Sequence, residues 1–269
     1  MRVERRPLAD TGLVASRLGL ADSAGLDATG VERAFHEHGI NYVFAASRAK
    51  ECAEGVRRLV RAGRRDELVI ASGASVPTGG GIERAWAAEA KALGVEAIDV
   101  FHIFWVQAHW YVTGKTWPAM RRLKEQGKVR ALAVSCHDRP LARELARELD
   151  LDVLMIRYNA AHRGAEGEIF DGLAPARPAV VAYTATRWGR LLKPSNGLGP
   201  LTAGECYRFA LSHPRGDLVL TAPASEAELR ENVAAVAQGP LEPARLDEAR
   251  RFGDAVRATA AGKVGFAGG

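Results

Sequence analysis

Several residue types and patterns are scarce in this sequence, and each shortage argues against a class of protein. The 269 residues include three cysteines, Cys52, Cys136 and Cys206, with no C-x-x-C spacing. This argues against a disulfide framework and suits a reducing compartment. No apolar run approaches the ~18 residues of a membrane span, and the first residues contain no apolar signal segment. We therefore expect a cytoplasmic protein with no membrane partner.

Aromatic residues are also few, and basic residues are only in modest excess. Aromatic residues make up 7% of the chain, and the net charge is +5. The arginines occur as short pieces, such as Arg57-Arg58 and Arg121-Arg122, mixed with acidic residues. Nucleic-acid binding favours a basic stripe with interleaved aromatic residues. We therefore expect no nucleic-acid partner and interpret the basic residues as solvated helix faces.

Short apolar runs alternate with helical patterns along the chain. Eight runs rich in Val, Ile and Leu predict parallel strands that are buried on both faces. They are Arg17–Ala21, Ile40–Ala45, Glu67–Ser72, Ala97–Val106, Val129–Ser135, Leu151–Arg157, Ala179–Thr184 and Asp217–Thr221. Helical patterns such as GIERAWAAEAKALG separate these runs, and several of them end at glycine.

Eight strand-then-helix units predict an α/β fold, a (β/α)8 TIM barrel, as one domain over residues 1–269. An extra helix is expected over Leu246–Ala260. The competing fold is a doubly wound open sheet. It usually carries G-x-G-x-x-G after its first strand, and ADSAGLDATG lacks that pattern. The run Gly79-Gly80-Gly81 predicts a flexible loop after the third strand.

Seven segments in chain order resemble the aldo-keto reductase superfamily. They are LADTGLVASRLGL, HGINYVFAAS, VEAIDVFHIFW, MRRLKEQGKVRALAVSCHD, RYNAAHRGAE, VVAYTATRWGRLL and SEAELRENVAAV. The resemblance implies a barrel that opens with an N-terminal hairpin. It also implies an NAD(P)-dependent oxidoreductase lineage that reduces carbonyls with a tetrad of Asp, Tyr, Lys and His, in which Tyr donates the proton.

The four tetrad positions carry other residues when these motifs are aligned without gaps. The Asp position falls on Phe44, the Tyr position on Ala49, the Lys position on Gly73 and the His position on Phe104. None of these side chains can be titrated. The resemblance therefore predicts that conventional tetrad reduction does not occur.

The residues that the resemblance assigns to a nicotinamide cofactor are partly retained. Three residues match the family's cofactor contacts, namely Ser135, Tyr183 and Asn232. Thr184 follows Tyr183 at the end of the seventh strand and is included with them. The usual carboxamide-binding Asn and Gln are replaced by Cys136 and Met155, which form poor amide hydrogen bonds. The basic residue that pairs with the 2′-phosphate has become Ala222 or Ser225, which weakens the case for NADP in particular. Binding of NADP or NAD and a purely structural role for the retained residues both stay open.

Polar side chains follow the fifth, sixth and seventh strands, at the end of a barrel where catalytic residues lie. The candidates for catalysis are His137, Arg157, His162 and Arg187, together with His102 and Tyr42 deeper in the fourth and second strands. Arginine beside aromatic rings suits a small anionic ligand, because guanidinium binds carboxylate or phosphate through paired hydrogen bonds. For His102 and Tyr42 the alternative is a hydrogen-bonded core residue, and a Tyr42–His102 contact is a specific hypothesis.

The remaining candidates have structural alternatives. Asp138 before Arg139-Pro140 predicts an N-cap more readily than a catalytic dyad with His137. Arg163 and Glu166, three residues apart, predict a pair on one helix.

Metal binding and nucleophilic catalysis have weaker support in the sequence. His109, His137 and His162 have no metal-ligand spacing, so no metal is predicted. Cys136 would need a lowered pKa and an adjacent base to act as a nucleophile.

Three functions remain compatible with the sequence. The first is a repurposed enzyme that acts on a small anionic molecule by redox-neutral dehydration, isomerisation or cyclisation. The second is a non-catalytic binding or regulatory barrel, a pseudoenzyme. Its mouth would be plugged by Phe44, Phe104, Trp105 and Trp110. The third is a weak NAD(P)H-dependent carbonyl reductase without the tetrad. The substrate and the oligomeric state do not follow from the sequence.

Overall fold

A computed structural model of the chain describes residues 1–22, 25–46, 50–75, 78–174 and 178–261. Eight parallel strands close into a barrel, in the order β10-β3-β4-β5-β6-β7-β8-β9. They are β3 (Leu18–Ala21), β4 (Tyr42–Phe44), β5 (Val69–Ala74), β6 (Ile98–Val106), β7 (Val129–Cys136), β8 (Val153–Arg157), β9 (Ala179–Tyr183) and β10 (Leu218–Thr221). The predicted (β/α)8 TIM barrel is confirmed, and the largest change in a strand is from Glu67–Ser72 to Val69–Ala74.

A two-stranded antiparallel hairpin precedes the barrel, as the resemblance implies. It consists of β1 (Arg5–Pro7) and β2 (Val14–Ser16). Leu8, Leu13 and Ala15 of this hairpin pack with the small and branched side chains inside the barrel. The hairpin therefore closes the end of the barrel opposite the mouth.

Helices surround the strands. They are α1 (Ala28–His36), α2 (Lys50–Arg61), α3 (Gly79–Leu93), α4 (Thr116–Glu125), α5 (Arg139–Glu148), α6 (Ala165–Glu168), α7 (Ala203–Ser212), α8 (Glu226–Val236) and α9 (Pro243–Ala261). Short 3-10 helices occur at Arg65–Glu67, His109–Tyr111, Phe170–Gly172 and Arg190–Leu192. The predicted terminal helix is α9. Within the described residues, no helix combines the length and the apolar character needed to cross a bilayer.

The flexible loop predicted at Gly79-Gly80-Gly81 is wrong, because these glycines begin α3. Thr78 caps this helix by accepting a hydrogen bond from the Gly81 amide. A Cβ on Gly79 would lie 2.7 Å from the Lys115 carbonyl oxygen. Glycine is required there by a close tertiary contact that is invisible in local sequence.

Alternate strands are tied to their neighbours by one carboxylate or amide at the hairpin end of the barrel. An Asn or Asp at the start of β4, β6, β8 or β10 accepts a hydrogen bond from a backbone amide on or before the preceding barrel strand. The pairs are Asn41 with Ser16 (2.7 Å), Asp99 with Ile70 (2.7 Å), Asp152 with Leu132 (2.8 Å) and Asp217 with Val180 (2.7 Å). These contacts satisfy backbone donors where the strands begin and fix the strand register.

Candidate active site

Aromatic rings occupy the place where the resemblance puts the tetrad. The Phe44 ring lies 5.5 Å from the Phe104 ring and 5.7 Å from the His102 ring. The His102 and Phe104 rings stack with an interplanar angle of 16°. A Cβ on Gly73 would lie 2.3 Å from the His102 carbonyl oxygen and 2.8 Å from Phe104 Cζ. The Lys position therefore has no room for a side chain. The Tyr position is Ala49, which lies outside the described residues.

His102 is a buried, neutral histidine with one nitrogen unsatisfied. Nδ1 lies 3.1 Å from the Ser72 carbonyl oxygen, so Nδ1 carries the proton and Nε2 is an acceptor. Nε2 has no hydrogen-bond partner. Burial lowers the pKa of His102 to about 4, against the smaller opposing effect of the Ser72 carbonyl. The imidazole is therefore neutral at physiological pH.

Tyr42 lies deeper in the barrel and is fully buried. Burial raises the pKa of its hydroxyl, and the charge of Asp99 adds to the effect. The hydroxyl has no partner, and neither does His102 Nε2. The hypothesised Tyr42–His102 contact therefore provides no hydrogen bond to either group.

A histidine and a tyrosine meet at the ends of β7 and β9. The Tyr183 hydroxyl lies 2.7 Å from Nδ1 and 2.9 Å from Nε2 of His137, within hydrogen-bond distance of both ring nitrogens. Burial, and then the charge of Arg157, lower the pKa of His137. Burial raises the pKa of Tyr183, although Arg157 opposes this. At neutral pH the pair is a neutral imidazole and a protonated phenol, which can pass one proton between them.

Arg157 is at the end of β8 and pairs in register with Tyr183 across β8 and β9. Burial lowers its pKa, and Arg139 and Arg257 lower it further. His162 lies nearby, and its Nδ1 is 3.3 Å from the Asn159 side-chain oxygen. Burial and four arginines lower the pKa of His162 to about 3. These residues create a positive potential beside the His137–Tyr183 pair.

Arg187 is 8% exposed, and its Nη1 donates to the Val256 carbonyl oxygen at 2.9 Å. This bond ties the β9 end to α9 and accounts for the burial of Arg187. Two of the arginines near His162 were not among the residues predicted from sequence. Arg139 follows β7 closely, so the strand-end rule could have found it, whereas Arg257 comes from a helix beyond the last strand.

The backbone at the mouth contains unusual conformations. Positive φ angles occur at Trp105 (58°), Thr184 (54°), Arg187 (52°) and Trp188 (51°). The left-handed backbone conformation is costly for residues other than glycine, and residues that adopt it cluster at functional sites. The side chains of Trp105 and Trp188 are 60% and 68% exposed. Trp110 is also 60% exposed, so Trp105 and Trp110 do not plug the mouth, whereas Phe44 and Phe104 pack against each other.

The residues assigned to nicotinamide fit that group poorly. Ser135 Oγ accepts the Trp105 amide at 2.8 Å. The Cys136 thiol lies 3.2 Å from the carbonyl oxygens of Val106 and of Asp138. Met155 is 5% exposed and packs in the barrel core. The carboxamide would therefore find one hydroxyl in place of the expected amide-binding set.

The other predicted cofactor residues are engaged in the fold. Asn232 is 4% exposed, and its side-chain amide donates to Thr221 Oγ1 at 3.3 Å. Thr184 donates to the Tyr183 carbonyl oxygen, and its own carbonyl oxygen accepts from Asn159. These contacts give Asn232 and Thr184 structural roles in the fold that do not involve a cofactor.

Several structural alternatives can be decided. Asp138 accepts from the Leu141 amide and caps α5, which confirms its predicted N-cap role. The Arg163–Glu166 pair is wrong, because Arg163 binds Asp254 at 2.6 and 2.7 Å while Glu166 accepts from the Tyr158 hydroxyl. Burial raises the pKa of the Cys136 thiol to about 12, which is unfavourable for a nucleophile.

Residues 26–202 match the family model described as the aldo/keto reductase family. The chain therefore belongs to the aldo/keto reductase family, whose members generally bind NAD(P)H. None of the curated proteins matches it.

Solved structures agree at the level of the fold. The aldo-keto reductase AKR11C1 from Bacillus halodurans is 19% identical in its holo form, with a TM-score of 0.75, over 93% of this chain and 96% of that chain. Its apo form has a TM-score of 0.73, at the same identity and coverage. PA4992 of Pseudomonas aeruginosa, described as a candidate aldo-keto reductase, is 21% identical with a TM-score of 0.71, over 87% and 95% of the two chains.

Proposed function

We propose that this chain is an enzyme of the aldo/keto reductase family that works without the family's tetrad. Its substrate is a small anionic molecule, held at the ends of β7, β8 and β9. The observation that carries this proposal is the contact between the Tyr183 hydroxyl and the His137 imidazole beside Arg157. The aromatic packing of Phe44, His102 and Phe104 supports the absence of tetrad chemistry.

Each group has a role that its environment supports. Arg157 binds the anionic group of the substrate, because a guanidinium offers two parallel hydrogen bonds to carboxylate or phosphate. A proton that leaves the substrate is taken up by the Tyr183 oxygen while the tyrosine's own proton moves to His137. The lowered pKa of His137 keeps its imidazole neutral and ready to accept that proton. Reversal of the two transfers returns a proton to another atom of the substrate.

This sequence of transfers is redox-neutral. It suits an isomerisation, or a dehydration or cyclisation in which a proton is removed and later returned. Nicotinamide has no step in it. The engagement of Ser135, Cys136 and Tyr183 with protein groups supports weak binding of NADP and NAD.

Binding is tested with monocarboxylates, dicarboxylates and phosphate monoesters, followed by tryptophan fluorescence. Trp105 is a suitable reporter because its ring lies 6.1 Å from the His137 ring. At least one anion should bind saturably, and Arg157→Gln should lower the affinity for that anion by about tenfold or more. The matched control is Arg121→Gln, which removes a surface arginine that pairs with Asp150. Equal affinity in the two variants would refute the role of Arg157.

Catalysis is tested separately with the bound anion in D2O, where NMR follows exchange of its carbon-bound protons. The wild type should catalyse exchange, and both His137→Ala and Tyr183→Phe should slow it by about 100-fold. Binding without exchange or conversion would favour the non-catalytic barrel. Oxidation of NADPH with a carbonyl compound would favour the weak reductase.

A further inference from the structure

An imidazole and two carboxylates, none of them part of the His137–Tyr183 pair, meet where the segment after β6 contacts α5. His109 belongs to the 3-10 helix that follows β6, and Glu144 and Glu148 are one turn apart on α5. His109 Nε2 lies 2.8 Å from a Glu148 oxygen and 3.9 Å from a Glu144 oxygen. One ligand atom from each residue lies within 4.8 Å of the other two.

The protein's own hydrogen bonding leaves this arrangement electrostatically incomplete. One nitrogen carries at most one proton, so His109 Nε2 can donate to one of the two carboxylates at a time. Like charges at positions i and i+4 of a helix destabilise it. A cation that replaces the shared proton would contact all three groups and remove the repulsion between Glu144 and Glu148.

We propose that His109, Glu144 and Glu148 bind a divalent transition-metal ion of the zinc type. An imidazole nitrogen with two carboxylate oxygens is a ligand set that zinc accepts, whereas calcium and magnesium prefer oxygen ligands alone. Zinc–ligand bonds of about 2.0–2.2 Å place neighbouring ligand atoms roughly 3.3 Å apart. The side chains of the three residues are 40%, 53% and 50% exposed, so small rotations can close the remaining distance.

Water would complete the coordination shell. An open groove of about 700 Å³ runs along Glu144 and Glu148 and is also lined by Arg143 and Arg147. The groove gives solvent access to the ion, and the two arginines reduce the negative potential. Affinity should therefore be on the order of 10 µM, far weaker than that of a closed structural zinc site.

The ion would link the segment after β6 to helix α5. The segment that contains His109 also contains Trp110 and Tyr111, whose rings pack 4.4 Å apart. Helix α5 begins at Arg139, directly after the Asp138 cap. Metal binding would hold this aromatic segment against α5 without entering the proposed proton transfers.

The test uses untagged, chelator-stripped full-length protein titrated with Zn²⁺ alone by isothermal titration calorimetry. Wild type should bind one equivalent, and the melting temperature should rise by several degrees at saturation. His109→Ala and the double variant Glu144→Gln/Glu148→Gln should each lose at least about tenfold in affinity. His38→Ala is the matched control, because it removes an exposed histidine elsewhere and should leave the affinity unchanged.

Far-UV circular dichroism establishes that each variant is folded before titration. Co²⁺ provides a second readout, because its visible spectrum should change in wild type and not in His109→Ala. The proposal is overturned if wild type binds no Zn²⁺ below about 1 mM. It is equally overturned if either cluster variant keeps wild-type affinity, since the ion would then bind elsewhere or to one side chain.

Discussion

Gly73→Ala should be strongly destabilising, because the tetrad's Lys position has no room for even one methyl group. Gly73 pairs in register with His102 across β5 and β6. Its added Cβ would lie 2.3 Å from the His102 carbonyl oxygen, 2.8 Å from His102 Cβ and 2.8 Å from Phe104 Cζ. The nearest atom belongs to the backbone of His102, a fully buried residue, and cannot turn aside.

The cost follows from this geometry. A carbon needs about 3.3 Å from a carbonyl oxygen, so β5 and β6 would have to separate by roughly 1 Å. Overpacking of a rigid core costs about 1–3 kcal/mol, and a backbone obstacle places this substitution at or above the upper end. We expect a loss of about 3 kcal/mol in the free energy of unfolding. Restoring lysine at this position should be at least as costly.

Urea unfolding followed by circular dichroism measures this loss. Gly167→Ala is the matched control, because a Cβ there meets nothing within 4 Å and should change stability little. In a Phe104→Ala background, Gly73→Ala should still cost more than half of what it costs in the wild type, since the His102 carbonyl obstacle remains. A Gly73→Ala loss below about 0.5 kcal/mol would show that the position is open and would refute the steric argument.

Three further predictions concern buried groups. The pKa of His102 is lowered from 6.5 to about 4, so the unfolded chain takes up a proton first as the pH falls. His102 alone should therefore contribute a loss of about 3 kcal/mol in stability between pH 6.5 and pH 4. His102→Gln should flatten that part of a urea-unfolding pH series, and an unchanged slope would contradict the assignment. The three buried cysteines have pKa values raised to about 12. A thiol reagent at pH 8 should label them only after denaturation, and rapid native labelling of any one would contradict this. Asp99→Asn should cost about 2–3 kcal/mol in chemical denaturation, because Arg65 and Arg130 lose a buried charge partner, and a loss below about 0.5 kcal/mol would disprove that cost.

The barrel could be predicted because its strands leave a strong local pattern. The run Ile98–Val106 is apolar except for Asp99 and His102, and that composition is typical of a parallel strand covered by helices. Asp138 before a proline was likewise a local N-cap signal. In each case the residues that decide the structure lie within a few positions of one another.

Tertiary contacts decided the features that the sequence could not settle. The requirement for glycine at position 79 comes from the Lys115 carbonyl, which is distant in sequence. Arg163 could pair with Glu166 on a short segment, yet Asp254 of α9 is its partner. The contact between His137 and Tyr183 spans 46 residues. The strand-end rule predicted His137 and the family resemblance predicted Tyr183 as a cofactor residue, but neither could place the two side chains in contact.

The measurement that tests the central claim most directly is a titration of the purified protein with NADPH and NADH. Tryptophan fluorescence and thermal shift provide two independent readouts. With the carboxamide-binding set replaced and Tyr183 engaged by His137, we predict no saturable binding up to about 1 mM of either cofactor. Saturable binding at micromolar concentration would contradict the account and return this chain to cofactor-dependent carbonyl chemistry.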